Sequence, residues 1–270
     1  MTAREAIRRA VVDLVGKSGT ARLDAELLMA HALGISREEL LLNHLDGPAP
    51  AAFDALLARR LAHEPIAYIT GRRAFWTIEL EVGPGALIPR PDSETLIEAA
   101  VAYFGDRAPR RILDLGTGPG TLLLAALDQW PDATGLGVDA SVEALAYARR
   151  NAVSRAEFRL GDWAEGIDER FDLILCNPPY VEARAALSPH VARWEPAAAL
   201  YAGADGLDAY RALAPRLASL VAPGGVVCVE IGAGQSISAT SFFAAQGFII
   251  ESRRDLKGIE RCLLLSVDRE

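Results

Sequence analysis

Asn177-Pro178-Pro179-Tyr180 follows directly on the apolar run Phe171-Asp172-Leu173-Ile174-Leu175-Cys176. At the end of a buried strand, such a tetrad brings together an amide carbonyl, a proline-fixed backbone and an aromatic ring. Neither proline has an N–H, so carbonyls around the turn are free to face a ligand. A planar –NH2 group suits that site. One of its hydrogens can go to the Asn177 side-chain oxygen and the other to a main-chain carbonyl, which holds its nitrogen for attack on an electrophile. Methylation of an amide or amino nitrogen requires that arrangement.

Three more motifs stand at predicted strand ends. Asp114-Leu115-Gly116-Thr117-Gly118-Pro119-Gly120 follows the strand Arg111–Leu115. Its third glycine comes one residue too early for the dinucleotide fingerprint. Alone, such glycines can serve simply to turn the chain. Asp139 follows Thr134–Val138, where a carboxylate can accept both hydroxyls of a ribose. Alone it could equally cap the next helix, a job for which Ser141 competes. Asp162-Trp163 follows Ala156–Leu160; the carboxylate can accept an adenine amino hydrogen and the indole can stack on the purine. Alone, that pair reads as a surface turn. The joint arrangement describes an adenosine-containing cofactor without a pyrophosphate, S-adenosylmethionine. The candidate cofactor residues are therefore Asp114, Gly116, Thr117, Gly118, Gly120, Asp139, Asp162, Trp163 and Asn177. The candidate acceptor residues are Asn177, Pro178, Pro179 and Tyr180, with Asn177, Pro178 and Tyr180 in catalytic roles.

The elements that must position these residues alternate from Arg111 onward, as in a parallel sheet with crossover helices. Further strands are expected at Phe171–Cys176, Val226–Ile231, Phe248–Ser252 and Arg261–Val267. Helices are expected at Glu94–Phe104, Leu122–Gln129, Val142–Asn151, Leu207–Val221 and Gln235–Gln246. The long irregular stretch from Val181 to Gly206 is placed beside the site. Before this, residues 2–63 read as helices. Ile7, Ala10, Val11, Leu14 and Val15 share one face; Asp24–Leu33 follows with Leu27, Leu28 and His31. Ser36-Arg37-Glu38-Glu39 fits a capping box, and Ala51–His63 closes the bundle. Residues 74–90 change to period two. Trp76, Ile78, Leu80 and Val82 alternate with polar residues, Gly83-Pro84-Gly85 turns, and Ala86-Leu87-Ile88 returns as a hairpin. The expected domains are 1–73, helical and substrate-recognising; 74–90, a β-hairpin linker; and 91–270, the α/β domain.

With 270 residues, 51% of them hydrophobic, the chain can bury a large core, and its net charge of −8 argues against a basic nucleic-acid-binding surface. Cys176, Cys228 and Cys262 lie in apolar runs without metal-ligand spacing, and they read as buried thiols. No leader and no membrane-length apolar run is evident, which suits a cytoplasmic protein.

The chain resembles the peptide chain release factor N5-glutamine methyltransferases, the HemK/PrmC family. The resemblance rests on Glu64-Pro65-Ile66-Ala67-Tyr68-Ile69-Thr70-Gly71, Phe75-Trp76, Leu87-Ile88-Pro89-Arg90-Pro91-Asp92-Ser93-Glu94, the Gly116–Gly120 loop, Asp162-Trp163, Asn177–Tyr180 and Glu195-Pro196. Departures are small: Pro119 and Thr121 in the glycine loop, and Cys262 for a β-branched residue. The resemblance implies a seven-stranded, Rossmann-like class I methyltransferase domain behind a small helical bundle and a hairpin linker. It also implies methylation of glutamine in the Gly-Gly-Gln tripeptide of peptide chain release factors, with no nucleic acid or membrane partner. Two alternatives use similar tetrads: a glutamine methyltransferase of a ribosomal protein, and an adenine-N6 or guanine-N2 methyltransferase of nucleic acid. The sequence assigns no role to His190, Trp194, Glu195 or Glu230.

Overall fold

The computed structural model describes residues 1–267. The chain divides into two compact units, one of Met1–Arg72 with Leu187–Trp194, the other of Arg73–Ala186 with the chain from Glu195 onward.

The first unit is helical: α1 (Ala3–Leu14), α2 (Ala21–Leu33), α3 (Arg37–Glu39) running into a π turn at Leu40–His44, α4 (Ala52–Leu61) and α5 (Ile66–Thr70). Thr2 starts α1 with a full capping box. Its Oγ1 accepts Glu5 N at 3.3 Å while its own N–H donates to Glu5 Oε2 at 2.8 Å, a device worth about 1 kcal/mol. Ser36 Oγ likewise accepts Glu39 N at 3.1 Å. The buried face of α1 is Ala3, Ala6, Ile7, Ala10 and Leu14; Val15, expected on it, is 68% exposed because the helix ends at Leu14. On α2 the buried side carries Asp24 and Glu26, whereas His31 faces solvent. Asp24 Oδ2 accepts Arg60 Nε at 2.7 Å, and Glu26 takes Arg22 and Arg37. Buried acids satisfied by arginines, Arg37 and Arg60 among them from other segments, cannot be told from surface charges by periodicity, so the buried face differs from the expected one.

In the second unit, β1 (Arg72–Phe75) and β2 (Ile78–Glu81) form the hairpin, and a 3₁₀ turn at Pro91–Ser93 leads into α6 (Glu94–Phe104). The hairpin turns at Trp76-Thr77, not at Gly83–Gly85. Trp76 adopts φ 54°, and its N–H is held by Glu94 Oε1 at 2.9 Å. Gly83 starts a separate turn closed by Ala86 N at 3.1 Å. Residues 86–90 do not return as a strand, because the Ile88 N–H is taken by the Glu195 carboxylate at 3.1 Å.

The main sheet contains β3 (Arg111–Leu115), β4 (Thr134–Asp139), β5 (Ala156–Leu160), β6 (Phe171–Cys176), β7 (Val221–Glu230), β8 (Ile249–Arg254) and β9 (Glu260–Ser266), in the order β5-β4-β3-β6-β7-β9-β8. β9 runs antiparallel to β7 and β8, and the other pairs of the sheet are parallel. α7 (Thr121–Gln129), α8 (Val142–Asn151), α9 (Pro189–Ala192), α10 (Asp208–Leu220) and α11 (Ser236–Ala244) complete the helices. Val221 pairs with Phe171 before a register shift at Ala222–Gly225, so β7 begins five residues earlier than its apolar run. Central strands are buried on both faces, and Tyr210 and Phe243 of α10 and α11 meet edge-on with their centroids 6.3 Å apart. Burying such a ring contributes about 1.5–3 kcal/mol.

The chain winds from β3 outward to β4 and β5, then returns to the other side of β3 for β6. Leu115 is in register with Cys176. The loops leaving β3 and β6 therefore part at a topological switch point, where open α/β sheets bind ligands.

Candidate active site

A cavity of about 680 Å³ opens at that point, within the usual range for small-molecule sites. The glycine loop forms its floor. Gly116, Gly118 and Gly120 all have positive φ. A Cβ on Gly116 would stand 3.5 Å from the Trp163 ring. Gly120 does not line the cavity; a Cβ there would meet Leu124 at 2.8 Å and Phe158 at 3.2 Å, so this glycine serves the packing of α7 on the sheet.

Asp114 ends up buried at the cavity wall. Its Oδ2 accepts Thr117 Oγ1 at 2.6 Å and Leu123 N at 3.1 Å, while its Oδ1 has no partner among the described residues. Burial pushes its carboxyl up to about 7, with nearby Asp139 adding to the rise. Asp139 accepts Gly118 N at 2.7 Å and Ser141 N at 2.8 Å, which ties the glycine loop to the end of β4. Its carboxyl is also raised by burial. Ser141 is the cap of α8, its Oγ accepting Ala144 N at 3.1 Å. Asp139 is thus free of that duty and keeps lone pairs for a ligand. Asp162 is exposed at the rim, and Trp163, with φ 48°, packs one side against the core and lines the cavity.

The other wall is the tetrad. Asn177 and Pro179 line the cavity. Asn177 Nδ2 donates to Ser93 Oγ at 3.0 Å, from the turn that leads into α6. Pro178 is buried and Tyr180 half-buried, and neither lines the cavity. Tyr180 instead turns its hydroxyl onto Glu230 Oε1 at 3.1 Å.

Glu195, which the sequence left without a role, is a clamp. Its side chain is 1% exposed; Oε1 accepts Arg90 Nη2 at 2.6 Å and Oε2 accepts Ile88 N at 3.1 Å. This fastens Pro196–Ala199 to Leu87–Arg90, and both stretches line the cavity. The long loop after the tetrad therefore reaches the site through Pro196–Ala199. His190 and Trp194 lie in the Leu187–Trp194 segment of the other unit.

Among the described residues lining the cavity, the charged ones are Asp114, Asp139, Glu143, Asp162 and Arg90, and Arg90 is paired with Glu195. Four carboxylates would repel a nucleotide carrying phosphates. They suit a ligand with cationic groups, a ribose diol and an adenine amine. S-adenosylmethionine, with its sulfonium and ammonium, meets that description, and the partnerless Asp114 Oδ1 is an acceptor left for a donor such as the ammonium.

A family model described as PrmC N-terminal domain matches residues 5–71, and one described as Methyltransferase small domain matches residues 93–194. The release factor glutamine methyltransferase of Rhodospirillum rubrum is 46% identical over 254 residues, 90% of this chain and 78% of the relative. The chain belongs to the release factor glutamine methyltransferase family. The family's member from Cereibacter sphaeroides is 43% identical over 274 residues, covering 97% of each chain. A solved structure of a ribosomal protein L11 methylase from Lactobacillus delbrueckii subsp. bulgaricus is alike in fold, with a TM-score of 0.52 at 21% identity over 70% of this chain and 85% of that one.

Sequence reasoning missed Ser93, Arg90 and Glu195 as parts of the site. All three stand in motifs quoted for the family resemblance, and what was missing was the partner each finds across about a hundred residues of chain.

Proposed function

We propose that this protein transfers the methyl group of S-adenosylmethionine to the side-chain amide nitrogen, N5, of the glutamine in the Gly-Gly-Gln tripeptide of peptide chain release factors, in the cytoplasm. The observation that carries the reading is Asn177, at the cavity wall beside the glycine loop with its Nδ2 already engaged by Ser93. Its Oδ1 is left to accept a substrate –NH2.

The cofactor supplies a strongly electrophilic methyl group. The protein's task is alignment, because an amide lone pair is delocalised and attacks only when well placed. Asp139 would hold the ribose hydroxyls, Asp162 and Trp163 the adenine, and Asp114 with the Gly116–Gly118 backbone the amino-acid end. Asn177 Oδ1 and the Pro178 carbonyl would take the two hydrogens of the glutamine –NH2. Those contacts strengthen as positive charge develops on nitrogen. The proton then leaves to water, and no residue is needed as a strong base. The helical unit of Met1–Arg72 would recognise the release factor, since the pocket chemistry lies after it in the chain.

Incubation with labelled S-adenosylmethionine and purified release factor, followed by peptide mass mapping, tests the reading. Label on the Gly-Gly-Gln glutamine is expected. Label only on a ribosomal protein or on nucleic acid would overturn it.

A further inference from the structure

The acceptor tetrad leaves β6 through two prolines, which offer no N–H to fasten the turn from within. Its far end is fastened from outside, by Gln235 in the turn between β7 and α11. Gln235 Nε2 donates to Tyr180 O at 3.0 Å and to Gly206 O at 3.3 Å. Its Oε1 accepts Gly232 N at 3.0 Å and stands 3.2 Å from the Tyr210 hydroxyl of α10, whose hydrogen it shares with Glu230 O. One side-chain amide thus uses both its hydrogens and both its lone pairs. The partners fix its orientation, because two of them are carbonyls that only accept and one is a backbone N–H that only donates.

The joint has no slack. A Cβ at Gly206 would lie 2.5 Å from Tyr180 O and 2.9 Å from Gln235 Nε2, and one at Gly232 would lie 2.6 Å from Gln235 Oε1 and 3.1 Å from the Tyr180 ring. The long loop begins after Tyr180 and ends at Gly206, so the same amide ties its two ends. Val181 extends the closure: its N–H donates to Leu200 O at 2.8 Å and its carbonyl accepts Ala202 N at 2.9 Å. Neither Gln235 nor its partners Tyr180, Gly206, Gly232 and Tyr210 line the cavity.

We propose that Gln235 is a positioning residue for methyl transfer, which through the Tyr180 carbonyl holds the Asn177 side chain and the Pro178 carbonyl where in-line attack requires them. The inference rests on the functional reading above. Each proline has its φ locked, so Asn177 to Tyr180 moves as a stiff piece and a shift at Tyr180 O is passed back to the acceptor groups. Asp114, Asp139 and the glycine loop are carried by β3 and β4, and among the described residues none of them bonds to Gln235. Loss of Gln235 should therefore reach the rate and spare the cofactor.

Gln235→Glu keeps length and shape, but its carboxylate brings no hydrogen to the two carbonyls. Gln235→Asn keeps the amide and is one methylene too short for the bridge. Gln235 is half-buried on a turn, so water can reach the freed groups and both variants are expected to fold.

Single-turnover methyl transfer to a purified release factor by the full chain at pH 8, with the rate taken per bound cofactor so that unfolded protein does not lower it, tests the inference. Each variant should lower the maximal rate on the order of tenfold to a hundredfold. The calorimetric Kd for the cofactor and the release-factor concentration giving half the maximal rate should stay within about threefold. In an Asn177→Ala background, Gln235→Glu should cost less than it does alone, since one group that it positions is gone. A wild-type maximal rate in Gln235→Glu, with or without a lowered melting temperature, would overturn the inference and leave the functional reading standing. So would a cofactor Kd that weakens in step with the rate, or losses that multiply in the double variant. If Gln235→Glu does not fold, Gln235→Asn decides by the same criteria. A wild-type chain that binds the cofactor and methylates no release factor would overturn both readings together.

Discussion

Asn177→Ala removes the acceptor for the substrate –NH2 and leaves Asp114, Asp139 and the glycine loop in place. Single-turnover methyl transfer should fall about a hundred- to a thousand-fold, with calorimetric cofactor affinity unchanged; transfer at the wild-type rate would place the acceptor site elsewhere. Asn177→Asp keeps an acceptor but loses the Nδ2–H that Ser93 receives, so a small part of the rate should survive. Asp139→Ala should weaken cofactor binding by about 1–3 kcal/mol, and it also releases the N–H groups of Gly118 and Ser141. Titration calorimetry checks this, and an unaltered Kd would remove Asp139 from the ribose. At this scale the sequence was legible where chemistry comes in short runs. Asp114 and Asp139 stand at the ends of β3 and β4, Trp163 and Asn177 follow β5 and β6, and the parallel fold brings strand ends together. It was illegible where a side chain works through a partner distant in the chain. Ser93 is 84 residues from Asn177, and Glu230 is 50 from Tyr180.

Elements carry the next constraints. Gly120 has φ 90° and no space for a Cβ beside Leu124 and Phe158. Gly120→Ala should therefore cost more than the ordinary penalty of about 1 kcal/mol for an alanine at positive φ, read as a lower urea midpoint at constant m-value. The Glu195 clamp predicts a different outcome. Glu195→Gln keeps the shape but weakens the tie to Arg90, loosening Pro196–Ala199 from Leu87–Arg90. Cofactor should then dissociate faster in stopped-flow measurements, with little change in melting temperature; an unchanged off-rate would show that these stretches do not retain it. Central elements such as β3, β6 and α8 were legible to the residue because apolar runs and turn residues agree there. The hairpin was misread because its turn uses Trp76 and Thr77, neither a turn-forming residue by type. Trp76 is held there by Glu94, a tertiary contact that overrides the nearby Gly83-Pro84-Gly85.

For the molecule as a whole, buried acids set the response to pH. Burial raises both Asp114 and Glu230 to about 7, against about 4 in an unfolded chain. Between those values the folded chain keeps protons that the unfolded chain has lost. Stability should therefore fall as pH rises from about 4 to about 7 and change little through these groups above that. Thermal melts across this window check the sign, and Glu230→Gln should flatten part of the slope. A chain beginning at Arg73 should bind the cofactor yet methylate intact release factor poorly; full activity on the intact protein would show that the helical unit is not needed for recognition.

The place of β9 bears on how the protein is made. β8 leaves the ribosome before β9, yet β9 lies between β7 and β8 and, among the described residues, is the only neighbour of β8 in the sheet. Until β9 emerges, the nascent chain holds β8 without a partner and β7 with an open, apolar edge, a template for pairing with other chains. Synthesis halted at Ile259 would leave it in that state. Such a fragment should be captured by chaperones or aggregate, even though the glycine loop, the tetrad and Glu230 have all been translated.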